Sequence, residues 1–187
     1  MKPLTPASPH AIIMVGIPGS GKSTFAEHFA ETFHAPIINE ARIAFEAGLD
    51  PERTDIVSHF LLTEILKANK TFLYEATDLT KAKRAEFTKT VIKAGYRPLL
   101  VWVQTEANEA KRRATKPQPT GSGLSDEEFD AAFYKFQAPG EQEKVVVISG
   151  KHTYASQLKI VLKQLAGSRP DTPINPPAPR TGNIVVR

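Results

Sequence analysis

The chain contains no cysteine, which excludes a disulfide framework, a thiolate nucleophile and a Cys-ligated zinc site. That absence agrees with a reducing compartment without requiring one. No apolar run approaches the ~18 residues that a membrane-spanning helix needs. Prolines break the opening stretch MKPLTPASPH where a signal peptide would need a continuous apolar region, so a cytoplasmic location is expected. The five histidines, His10, His28, His34, His59 and His152, show no paired ligand spacing, so no histidine metal site is expected. What is present is enough for one ordinary domain: 187 residues, 41% of them apolar and 24% charged, which excludes global disorder.

Fifteen prolines and a net charge of +4 suggest a basic, nucleic-acid-binding chain until the residues are located. Residues 1–9 read as a Pro-punctuated leader and residues 168–187 as a Pro-rich disordered tail. The tail sets Arg169, Arg180 and Arg187 against Asp171, a net of +2, so it holds half of the +4. The body has no Lys/Arg stripe long enough to track a phosphate backbone. Ile184-Val185-Val186 could pair with the sheet edge of a partner, a peptide-docking use of the tail; a loose terminus is the plainer reading.

Between these ends, residues 10–167, short apolar runs alternate with helical patterns. Strands are expected at Ala11–Val15, Pro36–Asn39, Thr71–Glu75, Pro98–Val103 and Lys144–Ser149. Helices are expected at Lys22–Phe33, Glu52–Ala68, Lys81–Ala94, Ala107–Thr115, Ser125–Phe136 and Tyr154–Leu165. Ser125 and Glu128 form a capping-box pattern. Ile56, Phe60, Thr63 and Leu66 suggest the buried stripe of their helix, and Phe60, Phe72, Tyr74 and Trp102 are assigned to the core. The order predicts an α/β fold, a three-layer sandwich with a roughly five-stranded parallel sheet. Ligands on such sheets bind beyond the carboxyl ends of the strands.

The first strand runs directly into Gly16-Ile17-Pro18-Gly19-Ser20-Gly21-Lys22-Ser23-Thr24, a G-x-x-x-x-G-K-[ST] match. Gly16 and Gly21 let the backbone curl so that successive N–H groups face phosphate oxygens, and Gly19 adds freedom. Lys22 would sit on the β- and γ-phosphates of ATP, and the Ser23 hydroxyl would ligate Mg²⁺. Pro18, Ser20 and Thr24 complete the nucleotide-contacting stretch, and the helix that follows adds its positive end. A phosphate cradle does not name a reaction, so the acceptor must be sought at the other strand ends.

Those ends carry Asn39-Glu40-Ala41-Arg42, then Glu75-Ala76-Thr77-Asp78-Leu79, then Thr105 and a basic helix with Lys111, Arg112, Arg113 and Lys116. Over roughly residues 11–165 this order resembles the P-loop kinase family of the polynucleotide 5′-hydroxyl kinases and related small ATP-binding kinases. The resemblance implies a phosphotransferase with a helical lid at about 112–124, where KPQPTGSG has the content of a moving loop. It implies that Arg42 is the acceptor-side arginine and Arg113 the first lid arginine, which neutralises charge on the transferred group together with nucleotide contact. The family carries aspartate where this chain has Asn39; Glu40 offers a carboxylate one residue on, as general base or merely as a cap. Glu75 takes the family's aspartate place and Asp78 its asparagine place, so both are candidates for the magnesium shell; a strand-end pair of Glu75 with Lys81 is the bland alternative. The basic helix can equally be a solvated face opposed by Glu106 and Glu109.

The function implied is an ATP- and Mg²⁺-dependent kinase acting on a hydroxyl of a polynucleotide 5′ end or of a small molecule. Two alternatives stay open. One is a nucleotide-binding regulator or adaptor with little catalysis, and the other a toxin-like kinase for an activated sugar.

Overall fold

The computed structural model describes residues 9–117 and 123–167. Five parallel strands lie in the order β2-β3-β1-β4-β5. They are β1 (His10–Val15), β2 (Ile37–Asn39), β3 (Phe72–Glu75), β4 (Arg97–Gln104) and β5 (Val145–Ser149). Seven helices join and flank them: α1 (Lys22–Phe33), α2 (Glu40–Ala47), α3 (Pro51–Lys67), α4 (Lys81–Lys93), α5 (Ala107–Ala114), α6 (Asp126–Lys135) and α7 (Tyr154–Gly167). The expected α/β sandwich is therefore observed. The leader up to residue 8, the middle of the lid segment and the tail lie outside the described residues.

Strand β1 is buried throughout, and its side chains alternate between two cores as the pleat requires. Ile12 and Met14 face Phe25, Phe29 and Val161 of α1 and α7. Ala11, Ile13 and Val15 face Leu62, Phe87 and Val91 of α3 and α4. A strand covered on both faces reads as a continuous apolar run, which is why HAIIMV shows no alternation. A third cluster joins Ile17 of the cradle to Ala110, Ala114 and Phe129, so α5 and α6 pack against the cradle itself.

One helix is absent from the sequence expectation. Helix α2 starts at Asn39, whose side chain accepts from the Arg42 amide at 2.9 Å, and ends at Gly48 with φ of 61°. Both are standard helix boundary residues, but its eight residues are too short for a clear period. The stripe expected on α3 is corrected too. Its buried residues are Thr54, Ser58 and Leu62, whereas Ile56 and Phe60 are each 62% exposed. The true stripe begins with small polar residues; Thr54 satisfies its hydroxyl on the Asp50 carbonyl at 2.7 Å. Phe72 is fully buried, as expected, Tyr74 stacks on Phe87 at 4.4 Å, and Trp102 is half-buried near Phe136.

Arg84, on α4, is completely buried, and nothing in the sequence marks it out. It holds Glu143 through two bonds, Nε to Oε1 at 2.7 Å and Nη2 to Oε2 at 2.8 Å. Its Nη1 donates to the carbonyls of Leu79 and Gln137 at 2.9 and 2.8 Å. Arg84 thus ties the start of α4 to the segment between α6 and β5. The Glu143 carboxyl is held below its ordinary range, chiefly by the bonds from Arg84.

Candidate active site

The carboxyl ends of β1, β2 and β3 bring together residues that are far apart in the chain. After β1 the loop curls through Gly16, Gly19 and Gly21, all with positive φ. Gly19 is the tightest point: φ is 72°, and a Cβ there would run into the carbonyl of Ala110 on α5. Backbone in this region costs ~1–3 kcal/mol for other residues. Gly19→Ala should therefore lower Tm by roughly 3–10 °C and weaken ATP binding in parallel, measured by thermal denaturation and nucleotide titration. Equal ATP affinity in the variant would contradict this account of the loop.

Lys22 donates to the carbonyls of Gly16 at 2.9 Å and Ile17 at 3.0 Å. Burial lowers its pKa, partly opposed by the negative charge of Glu75. Ser20 is fully buried, and its hydroxyl has no partner among the described residues. The far wall is Thr105, whose hydroxyl donates to the Ser20 carbonyl at 2.9 Å.

Glu75, at the end of β3, sits beside the cradle. Its Oε1 accepts from the Ser23 hydroxyl at 2.8 Å and its Oε2 from the Asn39 amide at 3.0 Å. Burial raises its pKa; Lys22 and the Ser23 bond oppose the rise. The alternative partner, Lys81, lies elsewhere: its backbone amide donates to Gln137 at 2.9 Å. Asn39 therefore has two tasks, capping α2 and orienting the Glu75 carboxylate. The structure does not bring Asp78 to this group. Its carboxylate is exposed and pairs with Lys83 at 3.3 Å.

Glu40 is buried, and both of its oxygens are engaged. Oε1 accepts from the Tyr74 hydroxyl at 2.6 Å, and Oε2 from the amide and hydroxyl of Thr77 at 2.9 and 3.2 Å. Burial and this bond raise the Tyr74 pKa, so the phenol stays protonated. Arg42 is exposed and bonds Glu46 at 2.6 Å across one helical turn.

Arg113 extends from α5 to the turn after β5, which abuts Ser20 of the cradle. Its Nη1 donates to the Gly150 carbonyl at 3.0 Å and its Nε to Glu109 at 2.7 Å. Arg112 holds the same carboxylate at 2.8 Å, and bonds from the two arginines pull the Glu109 pKa down to about 2. Glu106 instead pairs with Lys151 at 3.0 Å. Part of the expected lid lies outside the described residues, but its base is visible: the Leu124 amide donates to the Ala114 carbonyl at 2.9 Å. Pro18 is half-buried in the loop, and Thr24 is exposed on the first turn of α1.

A cavity of about 190 Å³ opens beside Ser23. Ser23 and Glu27 on α1 face Arg42, Ile43 and Glu46 on α2 across it, with Asn39 at the end of β2. The spacings i, i+4 on both helices put these side chains on facing stripes. A larger cavity, about 450 Å³, touches the cradle through Ile17 and lies toward β4, β5 and α6.

The curled glycine loop suits phosphates, because a Cβ at Gly16 would crowd the Ser20 side chain and the Val103 carbonyl. The donor set also suits magnesium. The described residues hold no cluster of three or more His, Asp or Glu that would grip a metal alone, and Mg²⁺ typically needs one or two carboxylates with phosphates and waters. The Ser23 hydroxyl and the Glu75 carboxylate, 2.8 Å apart, fit that need.

These features define a P-loop protein, with a phosphate cradle at the carboxyl edge of a parallel sheet. The chain belongs to the AAA domain family, whose profile matches residues 12–139. No curated protein sequence matches it significantly. Solved structures share the fold at low identity. A gluconokinase from Sinorhizobium meliloti 1021 is 18% identical with a TM-score of 0.58, over 85% of this chain and 93% of that one. The Mycobacterium tuberculosis APS kinase CysC, in complex with AMPPNP and APS, is 16% identical with a TM-score of 0.62, over 87% and 100%. Kti12 from Chaetomium thermophilum, in complex with ADP-AlF3, is 12% identical with a TM-score of 0.64, over 83% and 97%. Among the described residues no helix is long and apolar enough to cross a membrane.

Proposed function

We propose that the protein is a kinase that transfers the γ-phosphoryl group of ATP to a hydroxyl of a small molecule. The observation that carries this reading is that Ser23 and Asn39, both bonded to Glu75, also line the cavity that Arg42 faces. The acceptor must approach the phosphate where Lys22 and Ser23 stand, so the cavity beside Ser23 is its place rather than the larger one at Ile17. Its volume, about 190 Å³, is below the ~300–1,000 Å³ of drug-sized ligand sites. That favours a small acceptor over a polynucleotide end, and no residue here selects an activated sugar.

Phosphoryl transfer is mostly positioning and charge stabilisation. Lys22 and Arg113 would offset the charge on the transferred group. The Ser23 hydroxyl and the Glu75 carboxylate would hold magnesium, which when bound supplies positive charge to the phosphate oxygens. Asn39 keeps Glu75 in place, and Arg42 faces the acceptor. Glu40, with both oxygens bonded, braces the 76–77 turn against α2 rather than taking a proton, and Asp78 is given no metal role.

The test is ATP consumption in Mg²⁺ across hydroxyl compounds, with the phosphorylated product identified by mass spectrometry. Glu75→Ala should raise the Mg²⁺ concentration needed for half-maximal rate by at least about tenfold. A product formed equally well at low Mg²⁺ by that variant would refute the assignment of Glu75. One observation favours a second reading, a nucleotide-binding regulator: Asn39 cannot accept a proton, and Glu40 already accepts three hydrogen bonds. Tight ATP binding with no phosphorylated product from any hydroxyl compound would support it.

A further inference from the structure

The two edges of the sheet differ. Strand β2, at one edge, has only three residues, and a short edge strand recruits other strands poorly. Strand β5, at the other edge, reads Val145-Val146-Val147-Ile148-Ser149, with no charge and no proline inside it. It pairs with β4 on one side; among the described residues no strand pairs with its outer side. The Ser149 carbonyl accepts from Gln157 of α7 at 2.7 Å, which closes the carboxyl end and leaves Val145–Ile148. Val146 and Ile148 pack under Val161 of α7, while Val147, on the opposite face of the sheet, is 43% exposed. Ile160 of α7, next to Val161 in the chain, is also exposed. An apolar, uncharged edge of this kind templates strand addition unless something covers it.

We propose that Ile184-Val185-Val186 of the same chain cover this edge by adding to β5 as a sixth strand. Residues 168–187 lie outside the described residues, but their composition and point of departure single out this segment. Pro170, Pro173, Pro176, Pro177 and Pro179 remove backbone donors along the first part of the tail. Residues 180–187 contain no proline, and Ile184, Val185 and Val186 are the β-branched run within them. Helix α7 packs back along β5 and ends at Gly167, so the tail departs beside the amino end of that strand. Residues 168–183 reach about 50 Å as a polyproline-type segment of ~3.1 Å per residue. The five residues of β5 extend only about 17 Å, so the run can be laid along the edge in either direction. Tethering also decides between this segment and a second copy of the chain. A flexible linker holds its end at a local concentration of about a millimolar, well above that of other copies in a micromolar solution. The proposal does not depend on which reaction the cradle serves.

The absence of cysteine makes the test clean. In the full chain, Val147→Cys is combined in turn with Ile184→Cys, Val185→Cys and Val186→Cys, and the three proteins are oxidised mildly. Residues opposite one another on paired strands lie within disulfide reach only when their side chains share a face. Disulfides within one chain should therefore form at Val185→Cys alone, or at Ile184→Cys and Val186→Cys but not at Val185→Cys. Val185→Pro, in the otherwise unaltered chain, should speed amide exchange of the outward-facing amides of Val145–Ile148 by about tenfold or more. Disulfides only between two chains, equal reaction at all three positions, or none at any of them would overturn the proposal. So would exchange at β5 that is indifferent to Val185→Pro.

Discussion

Replacing Lys22 by alanine is expected to lower kcat/KM for phosphoryl transfer by about 10²–10³-fold or more while leaving the protein folded. The two effects separate because the lysine is not a stabilising residue in this setting. Burial depresses its pKa, so the folded state disfavours the proton relative to the unfolded chain. That cost is fully present below the folded-state pKa and disappears only as pH rises through the unfolded value of ~10.4. Removing the ammonium relieves the cost but leaves the carbonyls of Gly16 and Ile17 without a donor. The two changes oppose one another, and net stability at neutral pH should move by no more than about 1 kcal/mol. Stopped-time product assays and urea denaturation of the same preparation check both halves. Undiminished turnover would remove Lys22 from the reaction.

Arg84 should behave in the opposite way. Arg84→Met keeps much of the side-chain volume but leaves Glu143 without its partner and strips the donor from two carbonyls. Breaking a buried pair in this manner costs about 3–5 kcal/mol, measurable as a fall in the urea midpoint. The pH dependence follows from the direction of the Glu143 shift. Its folded-state pKa is depressed, so its contribution is present above the unfolded carboxyl value of ~4.3 and is lost as pH falls through the folded value. The gap between wild type and variant should therefore narrow in acid. A constant gap down to the acid transition would show that Arg84 acts without the Glu143 charge, through packing and its bonds to the Leu79 and Gln137 carbonyls.

The contrast shows what a linear reading can reach. The cradle is contiguous, its glycines and Lys22 standing within seven residues, so both its geometry and its chemistry are visible in order along the chain. The strands are visible because burial on both faces demands unbroken apolar runs, and their boundaries differ from expectation by no more than one residue at either end. Arg84 and Glu143 are 59 residues apart; in the sequence each is an ordinary surface-type charge, and only the closure of α4 on the 137–143 segment makes them a buried pair. Asn39 in the sequence is only an amide at the end of a short apolar run. Its meaning depends on Glu75, 36 positions later, which needs the parallel pairing of β2 with β3 to bring Asn39 opposite Glu75. Glu40 reads as an available carboxylate along the chain; its bonds to Tyr74 and Thr77 depend on the same pairing. Phe60 was misplaced because an apolar residue at helical spacing is weak evidence of burial when small polar residues can supply the buried stripe.

The bond from Leu124 to Ala114 carries a different consequence. It holds the end of α5 beside Leu124, which leads into α6. Lengthening the segment between them costs little, ~0.6 kcal/mol for each doubling, because closure entropy grows only logarithmically. Insertions between these two residues should thus be nearly neutral for folding. The α5–α6 junction is where this scaffold can acquire new sequence without renegotiating the sheet.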